Sequence, residues 1–347
     1  MSLRVDYLCR GMGWAHAART AAVLPVLRGR PEIDTVAVAA AGSAVEYFGL
    51  VGTPCHDLRL PDDVDHSGYA AYRMRRYLAA ASPQRTDRVV VSDELCLAPL
   101  LCRADRLPCV LMVCSFRHYM SSHGGARAFD AAEQILLASW PEVDAVPPAL
   151  RHKVTAIGPI VRATTTDRAA ARARLGLPPA GLVVTVSLGS YHPSKVDYFR
   201  AVLRMATKAW RHAPAGAPLV VPLPAATARE LLDGALPADV RCVGATDRLD
   251  TYHLASDVVL SMGGSTTSHA VRNGVPTVVI SPAPESREHR VGEYLARRCD
   301  YVTVTDTADD DLWARVDHLG RAGRSVPPDL RWGGPRDVLD AVLASQG

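Results

Sequence analysis

Between Ser256 and Ile280 the sequence reads SDVVLSMGGSTTSHAVRNGVPTVVI. Asp257 to Leu260 forms a short apolar β-type run, of the kind buried on both faces of a parallel sheet. Gly263-Gly264 breaks it, the hydroxyl residues Ser265 to Ser268 open a helical segment, and Val275-Pro276 leads into a second buried strand, Thr277 to Ile280. Ser265 is the expected N-cap and Gly274 the expected C′ residue. A glycine pair between strand and helix lets a ligand approach the backbone. The free N–H groups and positive dipole end of the helix then favour an anion, most naturally a phosphate. The same pattern also serves an ordinary turn with nothing bound.

The rest of the chain repeats this alternation, as a parallel α/β sheet requires. Strands are expected at Leu3 to Leu8, Thr35 to Ala40, Arg88 to Ser92, Pro108 to Cys114, Leu182 to Ser187 and Leu219 to Leu223, with Val240 to Val243 leading towards the focal unit. Helices are expected at Ala17 to Leu27, Ser43 to Leu50, Ala98 to Arg106, Val196 to Arg211 and Pro335 to Ser345, with a polar loop and helix over Glu285 to Arg297. Asp62 to Tyr77 and Ser115 to Gly125, rich in Tyr, His, Arg and Gly, read as loops and short helices over a cleft. At 347 residues the chain suits two domains. The Gly-Pro turn in AIGPI marks the boundary, giving an N-terminal domain over 1–160, a C-terminal domain over 161–334, and a last helix over 335–347 packing back on the first. Each half places a Gly-rich loop after its first strand, which suggests two Rossmann-like domains facing one another across a cleft.

Composition excludes several classes. No apolar run approaches the ~20 residues that cross a bilayer, and the first residues lack a basic region followed by a long apolar run. The expected compartment is therefore cytoplasmic. The eight cysteines form no CxxC pair and read as reduced core residues. The net charge of +3 is spread along the chain, which argues against nucleic acid as a partner. GMGWAH lacks the third glycine of GxGxxG, which argues against an NAD dehydrogenase.

The segment GGSTTSHAVRNGVPTVVISP resembles the donor-binding segment of GT-B glycosyltransferases, roughly GG-x-x-[ST]-x-E-A-x-x-x-G-V-P. GMGWAH after the first strand, VSDELCLAPL, IGPI at the linker, VSLGS and CVGATDRLDTYHLASDVVLSMGG follow in the family's order along almost the whole chain. The chain is similar to the nucleotide-sugar-dependent transferases that include the peptidoglycan GlcNAc transferase and natural-product glycosyltransferases. The resemblance implies an α/β GT-B fold and transfer of a sugar from UDP or dTDP to a hydroxyl or amine of a polar small molecule. Inversion is favoured, natural-product biosynthesis is the expected setting, and a homodimer is allowed. It implies no cofactor beyond the nucleotide sugar as co-substrate, and no metal.

Such a transfer needs a base for the acceptor hydroxyl and a stabilised diphosphate leaving group. His16 suits the first task, since an imidazole takes a proton near neutral pH, and it stands at the carboxyl end of the first strand. By resemblance Asp93 orients it, with Glu94 as the neighbouring candidate; a carboxylate favouring a helix N-terminus is the other reading of Asp93. Gly13, Trp14 and His118 are the acceptor-side candidates. Gly189, Ser190, Gly263, Gly264, Ser265 and Thr266 are expected to cradle the diphosphate, and Val243 to lie near the nucleotide base. Glu288 and His289 occupy the place of the family's pair that touches the donor sugar, although the Asn-Ala that usually follows is Gly292-Glu293 here.

One departure concerns the donor motif. The family's ribose-gripping Glu is His269 in this chain, and a neutral imidazole lacks the paired acceptors of a carboxylate. The nucleotide thus stays open between UDP and dTDP. Two other activities remain: a nucleotide-sugar hydrolase or 2-epimerase on the same fold, in which water replaces the acceptor, and a catalytically silent nucleotide-sugar-binding helper.

Overall fold

Short runs of valine, leucine and isoleucine, bounded by glycine and proline, build two parallel sheets in this computed structural model, which describes residues 3–62, 68–80, 87–120, 123–162, 164–189, 195–234, 236–321 and 326–345. The first sheet has strands β1 (Leu3–Cys9), β2 (Ile33–Ala40), β3 (His56–Asp57), β4 (Arg88–Asp93), β5 (Cys109–Val113), β6 (Gln134–Leu137) and β7 (Val154–Ala156). Their order is β3-β2-β1-β4-β5-β6-β7. The second has β8 (Val184–Ser187), β9 (Leu219–Val221), β10 (Val240–Cys242), β11 (Val258–Ser261), β12 (Thr277–Ile280) and β13 (Val302–Thr305), in the order β10-β9-β8-β11-β12-β13. The strands pair in parallel, so crossovers such as β1 to β2 and β11 to β12 carry α-helices, and the central strands are covered on both faces. Val89, Val90, Val91, Val258, Val259 and Leu260 are accordingly buried, each worth about 1.5–3 kcal/mol of transfer free energy.

The chain divides into two compact units, Met1–Val161 with Arg331–Gly347, and Arg162–Leu330. The return to the first unit runs through a close backbone crossing. Gly158, at φ 81°, has no room for a Cβ, which would sit 2.5 Å from the Arg331 carbonyl oxygen. Beyond it the helix Pro335–Ala344 buries Val338, Leu339 and Val342 in the same core as Leu24 and Leu27 of the helix Ala15–Arg28.

Two expectations need correction. In the stretch Asp62 to Tyr77, read as loops and short helices, the residues from Gly68 on belong to one longer helix, Gly68–Ala80, burying Ala70, Met74, Tyr77 and Leu78. Those positions form a helical stripe at i, i+4, i+7 and i+8. The focal helix Ser265–Arg272 starts one residue earlier than expected, with Gly264 as its N-cap and no side-chain cap. Gly274 follows at φ 65°, the left-handed geometry of a C′ glycine.

Candidate active site

In an open parallel sheet, ligands bind beyond the carboxyl ends of the strands, where the strand order changes direction. That point lies between β1 and β4 in the first unit and between β8 and β11 in the second. The chemistry-bearing residues of each unit gather there.

In the first unit, His16 stands in the first turn of the helix after β1, and Asp93 ends β4 opposite Cys9. His16 Nδ1 lies 2.9 Å from Asp93 Oδ1, and the carboxylate is wholly buried. An ionised carboxylate only accepts, so in the neutral ring Nδ1 carries the proton and Nε2 keeps its lone pair. Arg19, one turn further along the helix, holds both oxygens of the same carboxylate. Its Nε donates to Oδ2 at 3.0 Å, and its Nη2 donates to Oδ1. Nη2 is 3.1 Å from His16 Nδ1, as befits two donors converging on one oxygen.

Glu94 follows at φ 57° and is buried. Its Oε1 accepts from the Cys114 N–H at 2.7 Å, and its Oε2 accepts from the Tyr119 hydroxyl at 2.7 Å. Oε2 is also 3.6 Å from His16 Nε2, near enough for charge attraction but too long for a hydrogen bond. Burial alone would push this carboxyl up. The His16 and Arg19 charges, the Tyr119 hydroxyl and Arg10 outweigh it and hold Glu94 well below the usual carboxylate range. Arg10 reaches it through Tyr119, donating to that hydroxyl at 2.5 Å.

The acceptor-side candidates are placed as follows. Gly13, at φ 90°, donates its N–H to the Ser43 hydroxyl at 2.7 Å. Trp14 packs edge-on against Tyr47, ring centres 5.5 Å apart. The side chain of His118 lies outside the described residues.

In the second unit, Gly189 follows β8 at φ 82° with open space where a Cβ would project; Ser190 lies outside the described residues. Across the switch point, Gly263 and Gly264 have different jobs. A Cβ on Gly263, at φ 99°, would sit 2.1 Å from the Glu288 carbonyl oxygen, whereas one on Gly264 would meet nothing within 4 Å. Gly263 therefore serves the packing of the helix Arg287–Ala296, and Gly264 faces open space at the uncapped helix N-terminus. The neighbouring hydroxyls are largely turned inward. Thr266 donates to the Ser187 carbonyl at 3.2 Å, and the Thr267 hydroxyl accepts from the Gly263 N–H at 2.8 Å. Ser265 is exposed.

Glu288 and His289 stand half-buried in the first turn of Arg287–Ala296, where the His289 N–H donates to Ser286. Val243 follows the edge strand β10, its N–H bonded to the Val221 carbonyl at 3.0 Å. His269 is half-buried, and its Nδ1 is shielded with no hydrogen-bond partner among the described residues. Burial pushes its imidazole down to about 4, opposed by Asp250 and reinforced by Arg162. Among the described residues, no three His, Cys, Asp or Glu side chains gather so as to hold a metal ion. Nor is any described helix long and apolar enough to cross a membrane.

His253 sits beneath this site, its Nε2 2.8 Å from the Ser187 hydroxyl. Burial pushes its imidazole down to about 3, and His269 adds to the effect. The unfolded chain takes up this proton below about 6.5 while the folded chain does not, so stability from His253 is intact above that pH and lost progressively below it. The variant His253→Gln is expected to flatten the fall in Tm between about pH 6.5 and 4. Calorimetric scans across that range check this; parallel curves for variant and wild type would place the acid sensitivity elsewhere.

Sequence reasoning missed Arg19, Tyr119 and Arg10. Arg19 was within reach, being three residues from His16 on one helix face. Tyr119 and Arg10 carried no such signal.

No family model matches the chain, and no curated protein does. Solved structures do match. The spinosyn forosaminyltransferase SpnP aligns over 99% of this chain and 99% of its own, at 16% identity and a TM-score of 0.66. The fold is GT-B. Glycosyltransferase VinC, solved in complex with dTDP, shares the GT-B fold at 15% identity and a TM-score of 0.60, over 99% of both chains. The UDP-GlcNAc 2-epimerase from Methanocaldococcus jannaschii shares it at 11% identity and a TM-score of 0.61, covering 99% of this chain and 100% of its own. The GT-B fold thus serves sugar transfer in some of these proteins and sugar epimerisation in others.

Proposed function

We propose that this chain is a glycosyltransferase that moves a sugar from a nucleoside diphosphate, UDP or dTDP, to a hydroxyl or amine of a polar small molecule. The observation that carries the reading is the His16 Nδ1–Asp93 hydrogen bond, which leaves Nε2 as a free base at the switch point of the first unit. SpnP and VinC, both named as sugar transferases, support the reaction class, and the dTDP held by VinC supports the donor.

In this mechanism His16 Nε2 takes the acceptor proton as the acceptor oxygen or nitrogen bonds to the anomeric carbon. The bond from that carbon to the diphosphate breaks, and the leaving charge develops towards the N–H groups at Gly264 and Ser265. A single displacement inverts the anomeric centre. Helix N–H groups carry the diphosphate without a divalent ion.

Incubation of the protein with UDP- and dTDP-linked sugars, with and without a panel of polar acceptors, tests the proposal. Acceptor-dependent release of the nucleoside diphosphate is expected, unchanged by EDTA. Release without any acceptor would indicate hydrolysis, and a C2 epimer with no acceptor would indicate an epimerase. Loss of turnover in EDTA, restored by Mg²⁺ or Mn²⁺, would overturn the metal-free account of the leaving group.

A further inference from the structure

His16 lies between two carboxylates, and they are not equivalent. Asp93 accepts from Arg19 at both oxygens as well as from Nδ1. The guanidinium cancels its charge, so the Asp93–Arg19 pair orients the ring as a nearly neutral unit. Glu94 takes its hydrogen bonds from neutral donors, the Tyr119 hydroxyl and the Cys114 N–H, although the Arg19 and Arg10 charges also act on it, and it lies on the opposite, Nε2 side of the imidazole. It also holds a left-handed backbone at φ 57°, where a long side chain is disfavoured. Strain of this kind survives where the surroundings over-determine it, and it clusters at working sites.

We propose that Glu94, rather than Asp93, supplies the negative field that stabilises the His16 imidazolium, while Asp93 clamped by Arg19 fixes the tautomer. This rests on the reading of His16 as the base, and it divides the labour of the pair expected from sequence. At 3.6 Å Glu94 is close enough to favour the positive ring yet leaves Nε2 open to an acceptor proton. Tyr119 holds Glu94 in place and is itself tied to Arg10. Among the described residues, the charged and titratable groups facing His16 are thus Arg19 on its own helix, Asp93 at the end of β4 and Glu94 after it, Arg10 after β1, and Cys114 and Tyr119 beyond β5.

The test needs no substrate. The His16 imidazole is titrated by NMR in the whole protein labelled at histidine, its resonance assigned by its loss in His16→Ala. Glu94→Gln is expected to lower the titration midpoint by about one pH unit or more, as removal of a close opposite charge does. The double variant Asp93→Asn with Arg19→Met removes a neutral pair and is expected to leave the midpoint within about half a unit, although the ring loses its fixed tautomer in the ¹⁵N shifts. Glu94→Asp, whose short side chain suits the left-handed backbone, withdraws the charge and is expected to lower the midpoint less than Gln does; it serves if Glu94→Gln does not fold. An unmoved midpoint in Glu94→Gln, or a larger drop in the double variant, overturns the assignment. Retained transfer in His16→Ala would instead remove the proposed function, whatever the titrations show.

Discussion

Replacing His16 with alanine is expected to lower turnover of a nucleotide sugar by ~10²–10⁴-fold, the usual contribution of a general base, or ~2.7–5.4 kcal/mol of barrier. The magnitude follows from what the site leaves behind. Without the imidazole, the nearest group able to accept a proton is Glu94, which is held well below the usual carboxylate range and so is a weak base. Asp93 has both oxygens committed to Arg19. Neither takes over. Binding of the nucleotide should persist, because Gly189, Gly264 and Ser265 belong to the other unit. The measurement is release of UDP or dTDP under saturating donor, beside the thermal shift each nucleotide produces. Activity within a few-fold of wild type would remove His16 from the chemistry. Loss of both activity and nucleotide shift would mean that the substitution damages more than a base.

Much of this arrangement was legible in the chain. Runs such as VVVSD and DVVLS are short, β-branched and followed at once by turn residues, and they became central strands whose carboxyl ends carry Asp93 and the Gly263-Gly264 pair. Position at a strand end is a local property, so His16 and Asp93 could be singled out separately. Their meeting depends on β1 pairing with β4 across an intervening stretch of almost eighty residues, and only the resemblance supplied it beforehand.

What stayed hidden was hidden for physical reasons. The helix Gly68–Ala80 presents Tyr72, Arg75 and Arg76 outward among its buried residues, so its polar face masks the apolar stripe. QILL is too short to be told from a buried helical turn by periodicity alone, and it proved to be β6. Of the four hydroxyl residues from Ser265 to Ser268, only Ser265 and Thr266 were expected at the diphosphate. The structure spends Thr266 and Thr267 on the scaffold and leaves Gly264 and Ser265 outermost. Tyr119 reaches Glu94 from the short helix Phe116–Met120, in a stretch that read only as loops and short helices.

The adjacent glycines of the donor motif should respond oppositely to substitution. At Gly263 a side chain faces two penalties. The φ of 99° is a conformation that non-glycine residues rarely adopt, costing ~1–3 kcal/mol, and a Cβ there would overlap the Glu288 carbonyl oxygen, which belongs to a helix backbone that cannot swing aside. Overpacking of this kind adds ~1–3 kcal/mol. Gly263→Ala is therefore expected to destabilise by roughly 3 kcal/mol or more, lowering Tm by ~6–12 °C at the ~2–4 °C per kcal/mol typical of this size. Gly264 sits at φ −93°, an ordinary conformation, and nothing lies within 4 Å of where its Cβ would point. Gly264→Val should leave the Tm of the free protein nearly unchanged. Its branched side chain would stand where a diphosphate must meet the helix N–H groups, so the stabilisation by UDP or dTDP, ~2.7 kcal/mol at a hundred times Kd in the wild type, should disappear. Differential scanning calorimetry of the two variants, with and without nucleotide, separates these effects. An undiminished nucleotide shift in Gly264→Val would move the diphosphate site away from this helix. A free-protein Tm that falls as far in Gly264→Val as in Gly263→Ala would show that both glycines serve packing alone.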